Sequence, residues 1–303
     1  MIIQTMTYSM NGFAPLTHLG IIRAEGADAA KFLHGQLTQD FALLGQDQAR
    51  LAAFCNAKGR MQASFIGFKR SPTEVLLVCH RDLLAATLKR LGMFVMRAQA
   101  KLSDATAEFA LYGVIGGPAQ PAWTTATVDG TTTIALYPAD GLPRAMVVAP
   151  AASAAPVGPA LGLDLWLWSE VRSGIATLSM PIFEALVPQM LNYESVGGVN
   201  FKKGCYPGQE IVARSQFRGT LKRRAAIVHA EVAMVAGQAV FHSADAEQPC
   251  GVVVQAAAAP EGGWDAIVSS QISAMQDGTL ALGGVNGAAM ALLPLPYELL
   301  ADI

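Results

Sequence analysis

From Arg224 to the C-terminus the chain is written as short apolar runs separated by Gly, Asp and Pro: AAIVHAEV, QAVFH, CGVVVQAA, WDAIVSSQI, TLALGG and AMALL. Short strands punctuated in this way predict an all-β tail, a small barrel or curved sheet. The chain before Arg224 has a mixed texture. LGIIRA (19–24) reads as a strand, and GADAAKFLHGQL (26–37) as a helix with Ala30, Leu33 and Leu37 on one stripe. LAAFC, RMQASFIGFKR and EVLLVCH form a three-strand meander, turned by Asn56-Ala57-Lys58-Gly59 and by SPTE. RDLLAATLKRLGMFV is a helix, with Leu84, Leu88, Leu91 and Val95 at 3–4 spacing. Strand-like AKLSD, FALYGVIG, TTTIALYP and AMVVAP follow. Then come an Ala/Pro/Gly connection at 149–163 and a helix in LDLWLWSEVRSGI. Helices mixed loosely with hairpins predict the α+β class rather than a doubly wound parallel sheet.

Composition narrows the functional classes. A chain of 303 residues implies two domains or three small ones. With 52% hydrophobic and 15% charged residues it is neither disordered nor a coiled coil. A net charge of −2 excludes a globally basic nucleic-acid coat but leaves room for a local patch. Cys55, Cys79, Cys205 and Cys250 form no CxxC pair, and four free thiols fit a reducing compartment. The start, MIIQTMTYSMNG, has no basic or long apolar region of a signal peptide. The uncharged stretches 145–163 and 278–297 are broken by Pro and Gly, against a membrane span. The expectation is a cytoplasmic protein with no membrane partner. His18, His34, His80, His229 and His242 show no ligand spacing, so no metal site is expected. There is no dinucleotide or P-loop fingerprint.

Chemistry concentrates in GGVNFKKGCYPGQEIVARSQFRG (197–219). Gly197, Gly198, Gly204 and Gly208 bend the loop, Pro207 prolongs it, and Gln209-Glu210 opens a helix, with Glu210 in the first turn. Cys205 lies just before that helix, beside Lys202 and Lys203. Cations and a helix N-terminus both favour a thiolate, which marks Cys205 as the reactive cysteine; the plain alternative is a buried loop cysteine. Between 202 and 224 stand Lys202, Lys203, Arg214, Arg218, Lys222, Arg223 and Arg224, against the single acid Glu210. Such a run predicts an anion site, for a carboxylate-bearing cofactor or a nucleic-acid backbone, unless it is a solvated helix face.

The segment FKKGCYPGQE resembles the signature of the YgfZ family of folate-binding proteins, relatives of the aminomethyltransferase of glycine cleavage. Phe32–Asp40 (FLHGQLTQD), Cys55–Met61 (CNAKGRM), Val187–Asn192 (VPQMLN) and Arg214 with Phe217-Arg218-Gly219 resemble further segments of that family, over most of 19–224. The resemblance implies a three-domain ring. Residues 1–48 and 149–221 would form a first domain carrying the signature loop. Residues 49–148 would be an inserted ferredoxin-like domain, and 222–303 a C-terminal β-barrel. It implies tetrahydrofolate or a derivative in the central opening, and a role in assembling or repairing iron–sulfur enzymes, including those that modify tRNA. The expected partners are reduced folate, iron–sulfur client proteins and tRNA.

The site set is then Cys205 as reactive thiol and Lys202, Lys203, Gly204, Tyr206, Gly208, Gln209 and Glu210 as its loop. Gln189, Asn192, Arg214, Arg218 and Trp168 are the candidate folate contacts; Trp166 and Trp168 equally suit a helix core. One thiolate cannot hold an iron–sulfur cluster alone, so any cluster contact is transient or shared. Two departures separate the chain from the enzymes. Their paired aspartate is absent from Arg60-Met61-Gln62-Ala63-Ser64, and the glutamate of their P-x-E segment is replaced in Pro188-Gln189-Met190. Acid–base transfer of a one-carbon unit loses its obvious groups. The competing readings are a folate-dependent aminomethyl transferase and a tRNA-binding modification factor.

Overall fold

A computed structural model describes residues 10–217, 221–245 and 247–300 of the protein. Strands β1 (Gly12–Pro15) and β2 (Leu19–Glu25) precede the short helix α1 (Ala29–His34). The meander is β3 (Ala49–Cys55), β4 (Met61–Ser71) and β5 (Glu74–His80), followed by α2 (Arg81–Gly92) and β6 (Lys101–Asp104). β2 to β6 build an antiparallel sheet in the order β3-β4-β5-β2-β6. One face, with Ile22, Phe54, Phe65 and Leu77, packs on Phe32 and Leu33 of α1 and Leu84 and Leu91 of α2. The other face, with Ile21, Phe68, Leu76 and Val78, packs on a second sheet. Burial on both faces explains why these strands read as continuous apolar runs instead of alternating. α1 is shorter than the expected 26–37, because the chain turns at Gly35 and Leu37 bridges to Phe54 of β3.

The second sheet takes β7 (Phe109–Ile115), β8 (Thr125–Val128), β9 (Thr131–Ala139) and β10 (Leu142–Pro150), in the order β1-β7-β10-β9-β8. β1 and β8, GFAP and TATV, are too short and irregular to show a strand pattern. Helix α3 (Leu163–Arg172) lies on this sheet through Trp166. The indole occupies the space above Gly113, where a Cβ would stand 2.3 Å from ring carbons. The connection at 149–163 is not a free linker. Phe13 N–H donates to Pro159 O at 3.0 Å and Leu161 N–H to Phe13 O at 2.7 Å, so it runs back along β1. The expected division at residue 48 crosses both sheets: β1 and β2 lie before it and pair with β7 and β5 after it. The early strands join there because their apolar residues complete cores built mainly by later ones.

After α4 (Gln209–Phe217) the tail forms β11 (Arg223–Ala230), β12 (Ala239–His242), β13 (Gly251–Ala258), β14 (Trp264–Gln271), α5 (Ile272–Gln276), β15 (Leu280–Leu282) and β16 (Ala289–Leu293). These strands close a barrel in the order β11-β14-β13-β12-β15-β16, as the punctuated tail requires. Val228, Val240, Val253, Val268 and Met290 pack together within it. Ile227, Val254 and Ile267 instead join a core with Val171, Leu178, Leu191 and Leu51. Among the described residues no helix is long and apolar enough to cross a membrane.

Candidate functional site

Three sequence segments far apart in the chain meet at one place. Thr38 Oγ1 donates to Gly198 O at 2.6 Å and Gln39 Nε2 to Gly197 O at 2.7 Å. Asn200 N–H returns a bond to Thr38 O at 2.9 Å. The Asn56–Gly59 turn is built locally: Asn56 Oδ1 accepts from the N–H groups of Lys58 and Arg60, and Gly59 sits at φ 70°. This turn presses on Gly208, itself at φ 80°, where a Cβ would lie 2.4 Å from Asn56 O. Gly208 is therefore needed both for its backbone conformation and for the close approach. The FLHGQLTQD, CNAKGRM and KKGCYPGQE segments thus form one body.

Within it Lys203 is buried. Its Nζ donates to Leu37 O at 3.0 Å and Gly204 O at 3.1 Å and lies 4.5 Å from the centre of the Tyr206 ring. Burial pulls the Lys203 amine down to about 8, with Asp40 and Cys205 opposing. Burial lifts the Tyr206 hydroxyl well above the ordinary phenol range. His34 stands against Gly204 and bonds Asp40 at 2.9 Å. Burial of Asp40 works against its charge, but the Leu43 N–H and His34 outweigh it and hold the carboxyl below its usual value. Cys205 is the exposed cysteine; Cys55, Cys79 and Cys250 are buried. Burial pushes Cys55 and Cys79 up to about 12. Cys250, just before the barrel strand Gly251–Ala258, is covered by barrel closure and reaches Val240 O at 3.4 Å. Lys202 and Glu210 are exposed, and Gln209 starts α4.

The candidate folate contacts are placed otherwise. Gln189 is fully buried and donates to Val212 O at 2.6 Å, leaving its Oε1 without a partner. Asn192 holds both backbone groups of Ala225, tying the signature region to the barrel. Trp168 donates to Asp265 at 2.8 Å, and Arg214 pairs with Glu210 one turn away. Arg218 lies outside the described residues. The basic run at 202–224 is not one surface. Lys203 is buried, Arg224 is buried against Glu194 at 2.7 Å, and Arg214 is paired. Helix and strand geometry turn neighbouring cations to different sides, which spacing alone does not reveal.

A cavity of about 40 Å³ lies between the two sheets and α3. Trp123, Tyr137, Arg144, Glu170, Ser64 and Ser173 line it, and none of Gln189, Asn192, Arg214 and Trp168 does. Arg144 is held by Ser169 at 2.9 Å and lies 4.4 Å from the Trp166 ring centre; burial lowers it to about 10. Trp123 links the cavity to the signature region through Nε1 to Val196 O at 3.2 Å. Sequence reading missed Trp123, Tyr137 and Arg144, which sit on strands and turns with no motif around them. It also missed Glu184, which brings a carboxylate to the Asn56–Gly59 turn from 128 positions away, bonding Asn56 at 2.9 Å and Gln62 at 2.7 Å.

An antiparallel two-sheet body with a C-terminal barrel and a central cavity defines the aminomethyltransferase fold. The glycine cleavage aminomethyltransferase T of Bartonella henselae superposes with a TM-score of 0.71 at 15% identity, over 95% of this chain and 86% of that one. No family model matches the chain. The tRNA-modifying protein YgfZ of Cronobacter sakazakii is 33% identical over 220 residues; that alignment takes in 65% of each chain, just under two thirds of the relative's length. The proteins of the same name from Colwellia psychrerythraea and Edwardsiella ictaluri are 30% and 28% identical, over 68% and 89% of their lengths. The chain belongs to the YgfZ family.

Proposed function

We propose that this chain is a folate-binding accessory protein of tRNA modification, supporting the iron–sulfur enzymes of that process, with Cys205 as the group offered to the client. One observation carries the reading: the exposed cysteine stands where three family segments converge, while the other three thiols are buried. Relatives named as tRNA-modifying proteins support the process. The aminomethyltransferase fold supports the ligand class.

The central cavity is lined by side chains of the kinds a reduced folate contacts. Trp123 and Tyr137 offer flat faces, and Arg144 and Glu170 offer one cation and one anion for a polar ring edge. At about 40 Å³ it admits guests the size of water, so a pterin enters only when the half-buried Trp123 and Tyr137 rings move. Bound tetrahydrofolate would supply a one-carbon carrier; the residues of this chain bind and orient it. Aminomethyl transfer is not part of the proposal, because residues 60–64 bring no carboxylate to the site.

The test is equilibrium titration of tetrahydrofolate and its methyl, methylene and formyl forms, read by tryptophan fluorescence. Binding is expected to be weakened by Arg144→Met and Trp123→Ala and unaffected by Cys205→Ser, which instead loses iron–sulfur support in cells. No binding of any form would end the folate reading. Full support from Cys205→Ser would end the thiol reading.

A further inference from the structure

A second group of cations lies away from the 202–224 run. A cleft of about 640 Å³ opens between the Asn56–Gly59 turn, the end of α2 and residues 184–185, lined by Asn56, Lys58, Arg60, Arg90 and Glu184. Lys58, Arg90 and its neighbour Lys89 are exposed. Among the described residues, none of Lys58, Arg60, Lys89 and Arg90 has an ion-pair partner. In a chain of net charge −2 this is a concentrated positive surface.

Two further features give it a grammar. Arg90 lies 5.3 Å from the centre of the Phe94 ring, and Phe94 stands with Met93 and Met96 among the exposed large apolar side chains. The single carboxylate, Glu184, is fixed by the amides of Asn56 and Gln62. These two bonds, helped by Arg90 and Lys58, hold it below the ordinary carboxylate range, so it stays an acceptor. Cations for phosphates, an aromatic face for stacking and a fixed acceptor for base amino groups are the three elements that recognise unpaired nucleotides.

We infer that the Lys58–Arg60–Arg90 cleft, with Phe94 beside it, binds a single-stranded stretch of RNA. This rests on the reading of the chain as a factor in tRNA modification, and it gives that reading a contact surface. The placement is coherent with the thiol: the turn carrying Lys58 packs directly on Gly208, three residues from Cys205. RNA held in the cleft would lie beside the exposed cysteine. An anionic membrane is the competing occupant of a basic surface with exposed Met and Phe. It is disfavoured because the cations form a concave cleft around an acid, where a flat layer of headgroups does not reach.

The experiment uses the full chain, a fluorescein-labelled tRNA transcript and a 12-nucleotide oligo-uridine, with anisotropy read from 50 to 300 mM salt. Both probes are expected to bind. The Lys58→Ala/Arg60→Ala/Arg90→Ala protein should bind more than tenfold more weakly, with a salt slope lower by about 2, from roughly 0.7 per phosphate contact on a single strand. Phe94→Ala should weaken binding without changing the slope, and Phe94→Trp should restore it. Because Arg60 also bonds Ala185 O, the single variant Arg90→Glu serves as the check on folding. Lys202→Ala/Lys222→Ala, taken from the other basic run, should change little. Parent-like binding by the triple variant and Arg90→Glu overturns the inference. So does an absence of RNA binding by the parent, or binding confined to phosphatidylglycerol vesicles. The folate titration is independent of all these outcomes, so failure here is distinguishable from failure of the wider reading.

Discussion

At the residue scale the four thiols differ by environment. Cys55 and Cys79 are sealed in the first sheet and held near 12 by burial, so almost none is thiolate at neutral pH. Cys250 is buried in the barrel wall. Cys205 alone among them reaches solvent. Limiting iodoacetamide at pH 7.5, followed by peptide mapping, is expected to label Cys205 first, with the other three appearing only in denaturant. Label on Cys55, Cys79 or Cys250 in the folded protein would refute this. The loop cysteine was legible from its glycines and lysines, which forecast an irregular, open segment. Cys250 was not: a Pro249–Cys250 turn looks open until barrel closure covers it, and closure is a property of six strands together.

At the element scale the signature loop is clamped from both ends. Lys203 fixes its start to the segment after α1 through Leu37 O, and Gly208 fixes its end against the Asn56–Gly59 turn. Gly208→Ala forces a Cβ into a φ of 80° and into Asn56 O, a carbonyl that cannot swing away. The expected loss is at least about 1–3 kcal/mol for the backbone conformation alone, with faster labelling of Cys205. An unchanged urea midpoint would show that the contact yields. Lys203 gives a pH signature. Its folded value of about 8 lies below the ordinary 10.5, so between these values the unfolded chain binds more protons than the folded one. Stability from this group therefore rises with pH across that window, and the penalty of the buried ammonium is fully present below it. Lys203→Met should remove the rise: parent minus variant stability increases from pH 8 to 10.5, and a flat difference would contradict the assignment. The motif spacing made this loop visible in the sequence. Its clamps were not, because Leu37 O and Asn56 O are backbone atoms with no residue signature.

At the scale of the whole molecule, what sequence reading could reach was set by burial. Strands buried on both faces and a tail of punctuated runs announced themselves, so the α+β class and the barrel were legible. The sharing of β1 and β2 with later strands was not, since pairing partners leave no mark in a single chain. The central cavity escaped for the same reason, its lining drawn from β2, β3, β4, β5, β9, β10, α3, the segment after α3 and the Trp123 turn. Glu170 shows how these parts are joined. Its Oε1 accepts from Trp166 Nε1 at 2.9 Å and lies 3.7 Å from His18 Nε2, while Oε2 accepts from Gln255 Nε2 of the barrel at 2.9 Å. Burial opposes its charge, but His18, Arg144 and the Trp166 N–H outweigh it and keep the carboxyl below its ordinary 4.5. A depressed carboxyl contributes stability that is present above the unfolded value and lost as pH falls through the folded one. Glu170→Gln keeps the shape, removes the charge and can satisfy only one of the two donors well. The expected cost is about 1.5–3 kcal/mol at pH 7, the worth of a hydrogen bond to a charged group. The difference between parent and variant should shrink as pH is lowered below 4.5. Urea midpoints at pH 7, 5 and 3.5 test both parts: equal midpoints at pH 7 would deny Glu170 its role in joining helix and barrel, and a difference independent of pH would deny that its charge carries it.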